Sequence, residues 1–258
     1  MWLSATAQNY GEAERSQGLR TQLLSDPDAA ILDVAACGSR YVVFSWAFHD
    51  NTSQVNIWRI DTDGTNPEKL TNGRSDRYPV CSPAGNRVYY FDLIGSQVRS
   101  VPLTGTAPDE IVPESAIPHT LIPRTLTTGR GLGISPDNKT LAYTVATVIS
   151  SGAPKSKCKI ALLDLTTLSS PSLINADDRM VCGRVKFTPD GTALAYVVRE
   201  NGVDNLWLQP LKGDRRRRIT DRNSEEVLDF RWSPDGKSLA ILSGHSDSDV
   251  VLLLESEH

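Results

Sequence analysis

Short apolar segments alternate with turn-forming residues along the chain, in the period of two that is typical of β-strands. Four segments share one pattern: an apolar strand, a Ser/Thr-Pro turn, and a second strand with an apolar or aromatic centre. Their prolines are spaced 53, 53 and 45 residues apart. These are Pro83, Pro136, Pro189 and Pro234. The chain is therefore built from an internal repeat.

The turn within each copy has the composition of a tight β-hairpin. Proline fixes φ at the first central position, and Gly or Asn adopts the left-handed conformation that closes the turn. Thr188–Gly191 and Ser233–Gly236 are the clearest copies. A degenerate fifth copy ends at Phe44 and lacks the proline. Each copy therefore predicts a β-hairpin.

A further pair of strand signals follows each hairpin, most clearly at 54–60 and 68–71. Four antiparallel strands in a repeat of about 40 to 50 residues are typical of a propeller blade, which buries its faces by stacking on its neighbours. Helical periodicity is confined to 12–24, where Gly18 weakens it. The sequence predicts an all-β fold, a β-propeller of four-stranded antiparallel blades. The equivalent strand pairs are 98–103 with 109–112, 159–165 with 172–174, and 205–211 with 217–220.

We expect one propeller domain over residues 1–258. Residues 1–29 are expected to form a partial N-terminal blade or closing strands. The last repeat supplies three strands, and an N-terminal strand could complete it from outside. The ring then has about five blades; alternatively, the chain is a truncated six-blade ring that begins within a blade. The successive blades are expected at 30–73, 74–114, 115–178, 179–226 and 227–258.

The charge balance gives no reason to expect a nucleic-acid partner or contact with an anionic membrane. The chain has 27 Lys and Arg against 31 Asp and Glu, for a net charge of −4. We interpret the one basic run, 215–218, as a solvated hairpin edge. The longest apolar stretches, such as 250–254, are far shorter than the roughly 20 residues that span a bilayer. No export signal is recognised at the N-terminus.

The four cysteines are well spread, and no C-x-x-C pair or nearby histidine gives them zinc-ligand spacing. We interpret them as buried small apolar side chains. Disulfide bonding remains an alternative, because the connectivity of cysteines is not readable from sequence. The cysteines therefore leave the compartment open. They are Cys37, Cys81, Cys158 and Cys182.

Tests for catalytic, cofactor and metal motifs fail. Asp61-Thr-Asp-Gly opens like a calcium loop, but Asn66 and Asn72 stand where that loop needs Gly and Glu, so we interpret it as a turn. The glycines of 129–133 lead into a Ser-Pro hairpin and do not form a phosphate-binding loop. No Gly-x-Ser-x-Gly motif occurs in the sequence. We expect no catalytic residue, no metal and no cofactor.

Loops on one face of the propeller are the remaining candidates for function, because a rigid scaffold often carries its binding residues on loops. These loops include 46–49, 115–128 and 147–157. Trp46 and Phe48 are aromatic residues at a predicted hairpin tip, and aromatic side chains anchor many interfaces. With His49 they form the candidate partner-binding loop, for a protein or a small ligand. The favoured alternative is that Trp46 and Phe48 fold back onto the blade.

The repeats resemble a known group of proteins. Ser233–Ala240, which reads Ser-Pro-Asp-Gly-Lys-Ser-Leu-Ala, and the turn Ile60–Thr71 are similar to the repeats of TolB-like, WD-repeat-like bacterial propellers. More specifically, Asn205–Gly213, Phe230–Gly236 and Ser248–Leu253 resemble the C-terminal propeller of bacterial transmembrane serine/threonine protein kinases. The first resemblance covers nearly the whole chain, and the second covers the last two blades.

The resemblance implies a non-catalytic sensor or protein-interaction propeller, located outside the cytoplasm as the C-terminal domain of a receptor kinase. The alternatives are a stand-alone TolB-like periplasmic scaffold and, more distantly, a propeller hydrolase. The chain itself carries no kinase motif, since Asp229-Phe230 is followed by Arg231 within a repeat strand. The chain departs from the family repeat at 37–39 and in insertions before Arg130 and after Val145, so no ligand is carried over.

Overall fold

The computed structural model describes residues 23–24, 29–48, 54–95, 97–104, 110–111, 131–148, 156–213, 215–233 and 235–244. All regular structure within these residues is β-strand, in five antiparallel sheets. Each sheet follows chain order from its first strand to its last. The predicted all-β propeller of four-stranded blades is confirmed.

Two four-stranded sheets come from the first half of the chain. Sheet 1 contains β1 (Ala29–Cys37), β2 (Tyr41–Phe48), β3 (Val55–Asp61) and β4 (Glu68–Lys69). Sheet 2 contains β5 (Asp76–Cys81), β6 (Arg87–Asp92), β7 (Gln97–Pro102) and β8 (Glu110–Ile111).

Three sheets come from the second half. Sheet 3 contains β9 (Leu132–Ile134), β10 (Thr140–Val148), β11 (Ser156–Asp164) and β12 (Ser172–Ile174). Sheet 4 contains β13 (Met180–Phe187), β14 (Ala193–Glu200), β15 (Val203–Pro210) and β16 (Arg217–Arg218). The described part of sheet 5 contains β17 (Glu226–Trp232) and β18 (Leu239–Gly244).

Apolar side chains join each pair of consecutive sheets, as a propeller requires. Val43 and Ile57 of sheet 1 pack with Tyr90 of sheet 2. Similar buried clusters join sheets 2 and 3, sheets 3 and 4, and sheets 4 and 5. Alternate residues of one strand serve the two junctions, since Ala142 faces sheet 4 while Tyr143 faces sheet 2. We call β1, β5, β9, β13 and β17 the inner strands, and the space they surround the central channel.

The repeated turn has the geometry that its sequence predicts. In sheet 4 the Gly191 amide donates to the Thr188 carbonyl at 2.8 Å, and Gly191 has a φ of 70°. The Asp190 carboxylate accepts hydrogen bonds from the Thr188 hydroxyl at 2.5 Å and the Thr192 amide at 3.0 Å. The aspartate and the hydroxyl thus lock the turn together. The same backbone hydrogen bond closes the turns that begin at Ser82, Ser135 and Ser233.

The inner strands of sheets 3 and 4 approach so closely that only glycine fits between them. A Cβ atom on Gly131 would lie 2.4 Å from the Gly183 carbonyl oxygen, and one on Gly133 would lie 2.7 Å from that of Val185. Real Cβ atoms do not approach backbone oxygens this closely. Gly133 of β9 and Gly131, which directly precedes this strand, therefore allow close packing between sheets 3 and 4.

All four cysteines are paired, which corrects the interpretation of these residues as separate apolar side chains. Cys37 of β1 bonds Cys81 of β5, and Cys158 of β11 bonds Cys182 of β13. The Cα–Cα distances of 5.2 Å and 5.6 Å lie in the range of disulfides. Each disulfide joins two neighbouring sheets. Cys37 and Cys158 are buried, as expected, and Cys81 and Cys182 are half-buried.

The remaining sequence predictions concern the turn at Asp61, the basic run, the closing strands and membrane-spanning segments. Asp61–Asn66 forms the turn between β3 and β4, with the Asn66 amide donating to Asp61 Oδ2 at 3.0 Å. The basic run is exposed and ends in the outer strand β16, as predicted. Closing strands are expected in 1–29 and at the end of the chain, and residues 1–22, 25–28 and 245–258 lie outside the described residues. In the part of the chain that is described, no helix is long and apolar enough to cross a membrane.

Candidate functional site

Four of the inner strands share an irregularity, and charged side chains lie at or beside it. A bulge interrupts the pairing between the first and second strands in sheets 1, 2, 4 and 5. Bulges bend a strand, re-aim its side chains and are common beside functional sites. The bulges lie between Ile31 and Asp33, Arg77 and Val80, Met180 and Val185, and Val227 and Asp229.

The bulge in β5 is held by a carboxylate from the neighbouring sheet. Asp33 Oδ2 accepts hydrogen bonds from Arg77 Nε at 2.8 Å and from the Tyr78 amide at 3.3 Å. Tyr78 has a φ of 58°, which is unusual for a bulky residue. The Arg77 guanidinium lies 5.0 Å from the centre of the Tyr78 ring. Sheet 1 thus fixes a strained turn of the sheet 2 inner strand.

A second charged group joins sheets 4 and 5. Lys186 Nζ lies 2.6 Å from Asp229 Oδ1, and it also donates to the Phe230 carbonyl. Arg231 Nε lies 3.5 Å from the other oxygen of Asp229. The exposed fractions of the Lys186, Asp229 and Arg231 side chains are 23%, 35% and 42%, so all three are partly accessible to solvent.

Burial shapes the protonation of this group. Removal from water lowers the pKa of Lys186 to about 8, even though the Asp229 carboxylate acts in the opposite direction. The positive charges of Arg231 and Arg184 lower the Lys186 pKa further. Burial opposes ionisation of Asp229 as well, but the Lys186 ammonium holds its pKa below the usual value. At neutral pH the pair is therefore ionised, and Lys186 is unusually ready to lose its proton.

Arg231 also reaches across to sheet 1. Its Nη2 donates to the Val34 carbonyl of β1 at 2.8 Å, which links strands separated by 197 residues. Arg184 Nη1 donates to the Val227 carbonyl of β17 at 3.3 Å. Both arginines therefore bind backbone of a neighbouring inner strand and stand beside the channel.

Together these side chains form what we call the channel belt. Among the described residues it contains four cationic groups and two carboxylates, so positive charge is in excess. A narrow passage with an excess of one sign concentrates its field and attracts ions of the other sign. The belt can therefore attract an anionic group and donate hydrogen bonds to it. The channel belt consists of Asp33, Arg77, Arg184, Lys186, Asp229 and Arg231.

The structure places the aromatic residues of the candidate partner-binding loop on the blade. Trp46 lies within β2, two residues before the strand ends at Phe48, and is 7% exposed. Its ring stacks on Phe48 at 4.8 Å between centroids and meets Trp58 edge-on at 4.8 Å. Phe48 is half-buried, and His49 lies outside the described residues. The role of this loop in partner binding stays a prediction.

Sequence reasoning missed the channel belt, although a signal was present. Lys186 and Arg231 each lie two residues before the Ser or Thr of their turn, at Thr188 and Ser233. A charged residue at the same place in two consecutive inner strands indicates a shared surface. The bulges hide this signal, because they interrupt the period of two.

Sequence comparison matches only a short part of the chain, and the fold is supported mainly by solved structures. No protein-family model matches the chain. Among curated proteins, the uncharacterized protein YidR of Escherichia coli (strain K12) is 30% identical over 95 residues. That match covers 34% of this chain and 22% of YidR, so the chain spans about a fifth of that relative's length.

Solved structures show the architecture. TolB from Acinetobacter baumannii matches 81% of this chain with a TM-score of 0.61 and 19% identity. A protein assigned as TolB from Agrobacterium tumefaciens matches 88% with a TM-score of 0.65 and 16% identity. Oligogalacturonate lyase from Vibrio parahaemolyticus matches 80% with a TM-score of 0.59 and 16% identity. The chain covers 48%, 74% and 56% of these proteins respectively. This chain has a TolB-like β-propeller fold.

Proposed function

We propose that this chain is a non-catalytic sensor or protein-interaction propeller that binds its partner at the central channel and the loops around it. The observation that carries the proposal is the channel belt: four bulged inner strands contribute its charged side chains. Rigid sheets hold these side chains in place, so little conformational freedom is lost when a partner binds. The belt is partly accessible, which distinguishes it from the buried apolar clusters between the sheets.

The two disulfides support a location outside the cytoplasm, on the periplasmic or cell-surface side. Disulfides form and persist in oxidising compartments and are rare where thioredoxin and glutathione keep thiols reduced. All four cysteines take part, and each pair joins neighbouring sheets. An extracytoplasmic propeller would use these bonds to hold its ring together.

We further propose that the parent protein is a receptor serine/threonine kinase. The support is the resemblance of the last two repeats to kinase-linked propellers. The native open reading frame upstream of Met1 tests this proposal. A kinase region followed by an apolar helix of about 20 residues would support it. A bare signal peptide or no upstream coding sequence would contradict it and favour a stand-alone TolB-like scaffold.

Site-specific photo-crosslinking in the native host tests partner binding at the channel. Ala36 is an exposed residue of the inner strand β1, so a photoreactive amino acid there is accessible to a partner bound at the inner strands. Arg217, exposed on the outer strand β16, is the matched control position. The proposal predicts a discrete crosslinked species from position 36 and none from position 217. No species, or the same species from both positions, would contradict it.

A further inference from the structure

A cavity between sheets 4 and 5 lies at the end of the propeller that carries the repeated turns. Its volume is about 870 Å³, which is within the range of sites that bind small molecules. Its walls are the turn at 188–193 of sheet 4, the end of β15 with the residues after it, and the next turn in sheet 5. Among the described residues, none of the channel belt lines this cavity.

The two turns that border the cavity pack against each other. A Cβ atom on Gly236 would lie 2.9 Å from the Cβ of Pro189, so the turn of sheet 5 rests on the turn of sheet 4. The Gly236 amide also donates to the Ser233 carbonyl at 2.9 Å, which closes its own turn. Fixed backbone therefore forms these walls before any ligand binds.

The floor of the cavity is apolar. Leu208 is 7% exposed, and the neighbouring Leu211 is 36% exposed although its side chain is large and apolar. Trp232 also lines the cavity, and its Nε1 is buried without a hydrogen-bond partner among the described residues. A buried tryptophan N–H usually has an acceptor. The floor therefore combines apolar surface with a donor that lacks an acceptor.

Two cations and two carboxylates complete the lining. Lys212 and Arg217 are exposed, and within the described part of the chain neither side chain forms an ion pair. Asp190 and Asp235 instead accept hydrogen bonds within their own turns, as Asp235 does from the Ser233 hydroxyl at 2.5 Å. The lining groups that lack a partner are therefore donors, which favours a ligand that supplies acceptors.

The loop that carries Lys212 differs from the same loop in other sheets. The third strand ends with an aspartate in sheets 1 and 3, and Asp164 accepts a hydrogen bond from the Thr166 amide of its own loop at 2.7 Å. A proline stands at this position in sheets 2 and 4. Of these two loops, only that of sheet 4 contains cationic residues. Its cations are therefore presented without the aspartate that sheets 1 and 3 have.

We propose that this cavity binds a small amphipathic carboxylic acid, with the carboxylate at Lys212 and Arg217 and the apolar body on the floor. The inference concerns a surface apart from the central channel and goes beyond the proposed function. A carboxylate supplies acceptors to the two cations, and charge-assisted hydrogen bonds of this kind are stronger than neutral ones. The apolar body covers Leu211, which is otherwise in contact with water.

Isothermal titration calorimetry with three matched probes tests the inference. Naphthylacetate has the carboxylate and the apolar body, naphthylacetamide is its neutral analogue, and acetate lacks the apolar body. We expect naphthylacetate to bind at least about tenfold more tightly than either of the others, which corresponds to the loss of one of its two anchors. No binding of naphthylacetate, or equal affinity for all three probes, would overturn the inference.

Matched variants locate the binding site. Arg217→Gln should weaken naphthylacetate binding by about fivefold, as expected for an exposed ion pair. Arg216→Gln makes the same change in net charge at a residue outside the cavity lining and should leave binding unchanged. Equal weakening by the two variants would overturn the inference. Thermal unfolding of each variant shows that it is folded.

Trp232→Phe provides a second test, because it keeps an aromatic ring and removes the N–H. The variant should bind naphthylacetate more weakly by about threefold without a lower urea midpoint in the absence of ligand, since the N–H has no described partner. A lower midpoint with unchanged affinity would contradict the placement of the ligand at Trp232. A small molecule forms no crosslinked protein species at position 217, so the photo-crosslinking test of the channel is judged separately.

Discussion

The junction between sheets 1 and 2 differs in kind from the junction between sheets 4 and 5. The first is covalent as well as ionic: the Cys37–Cys81 disulfide lies beside a buried apolar cluster, and Arg77 binds Asp33. The second has a buried apolar cluster of its own, and Lys186 binds Asp229 across its two inner strands. No disulfide spans this second junction, since all four cysteines lie elsewhere.

The comparison shows where the molecule is rigid and where it presents chemistry. A disulfide and a dry core stabilise a junction but offer nothing to a ligand. An ion pair at a half-exposed junction contributes less stability and leaves donors facing the channel. The part of the channel belt formed by Lys186, Asp229 and Arg231 thus lies at a junction without a disulfide, and the covalent ties lie at two others. The predictions below test this division.

Loss of either disulfide should have the largest effect on stability. The bonds close loops of 44 and 24 residues, so the loop-entropy model gives losses of about 4 and about 3.4 kcal/mol. The Cys37→Ser, Cys81→Ser double variant should therefore unfold at lower urea concentration than the Cys158→Ser, Cys182→Ser double variant. Urea titration against the oxidised wild type measures both. A loss below about 1 kcal/mol in either variant would show that its disulfide does not tie the ring.

Addition of one methyl group between sheets 3 and 4 should be the next largest perturbation. In Gly133→Ala the new Cβ meets the Val185 carbonyl at 2.7 Å, so the two inner strands must separate. We expect a loss of about 2 to 3 kcal/mol, in the range of overpacked cores. Hydrogen exchange should also show lower protection of amides in β9 and β13.

Gly202→Ala is the control for this change. Gly202 has open space around its Cα and a φ of 82°, so the variant carries only the backbone strain of an alanine in the left-handed region. That strain costs about 1 kcal/mol. Equal losses in the two variants, with unchanged exchange in β9 and β13, would contradict close packing of sheets 3 and 4.

Removal of the ion pair at the ionic junction should cost less than removal of a disulfide. Lys186→Met leaves the half-buried Asp229 with Arg231 as its neighbour, and we expect a loss of about 1 to 2 kcal/mol, since the pair is partly exposed. A double-mutant cycle with Asp229→Asn isolates the interaction of the two side chains. A coupling energy near zero would show that the junction does not depend on this pair.

The pH dependence of the same variant gives a second test. The pKa of Lys186 is about 8 in the folded protein and about 10.4 in an unfolded chain, so the unfolded state binds more protons between these values. The cost of burying the charged lysine is present in full below about pH 8 and is relieved as the pH rises. The wild type should therefore gain stability relative to Lys186→Met from about pH 8 to about pH 10. A constant difference would contradict the lowered pKa.

Changes in the repeated turn should have the smallest effect. Asp190→Ala removes the carboxylate that accepts hydrogen bonds from Thr188 and Thr192, at an exposed turn. The expected loss is about 0.5 to 1 kcal/mol. Asp221→Ala is the control, because Asp221 is 97% exposed and contributes only a surface ion pair to Arg218. In thermal unfolding, Asp190→Ala should have a lower Tm than the wild type, and Asp221→Ala should have a Tm close to that of the wild type.

The local parts of the fold were predictable because their chemistry is local. Pro189 and Gly191 fix the backbone of a turn whatever surrounds it, so the hairpins and the blade repeat could be inferred from composition. The outer strands were harder, since β4, β8 and β16 each contain two residues and were predicted longer. Their ends depend on pairing with a neighbour and not on their own sequence.

The long-range features could not be read in the same way. Cys37 and Cys81 are brought together only when sheet 1 stacks on sheet 2, so the sequence left their pairing open. The glycines at 131 and 133 were assigned to the approach to a Ser-Pro hairpin, but their close contact with sheet 4 required the structure. The channel belt depends on bulges that break the strand period. Tertiary packing decides all three features.

Peptide mapping of the protein, purified from its native host without reductant, tests most directly the division between covalent and ionic junctions. The account predicts two crosslinked peptide pairs, one joining Cys37 to Cys81 and one joining Cys158 to Cys182, with no alkylated cysteine. Alkylation of all four thiols, or a different pairing such as Cys37 with Cys158, would contradict both the covalent ties and the extracytoplasmic location that they support.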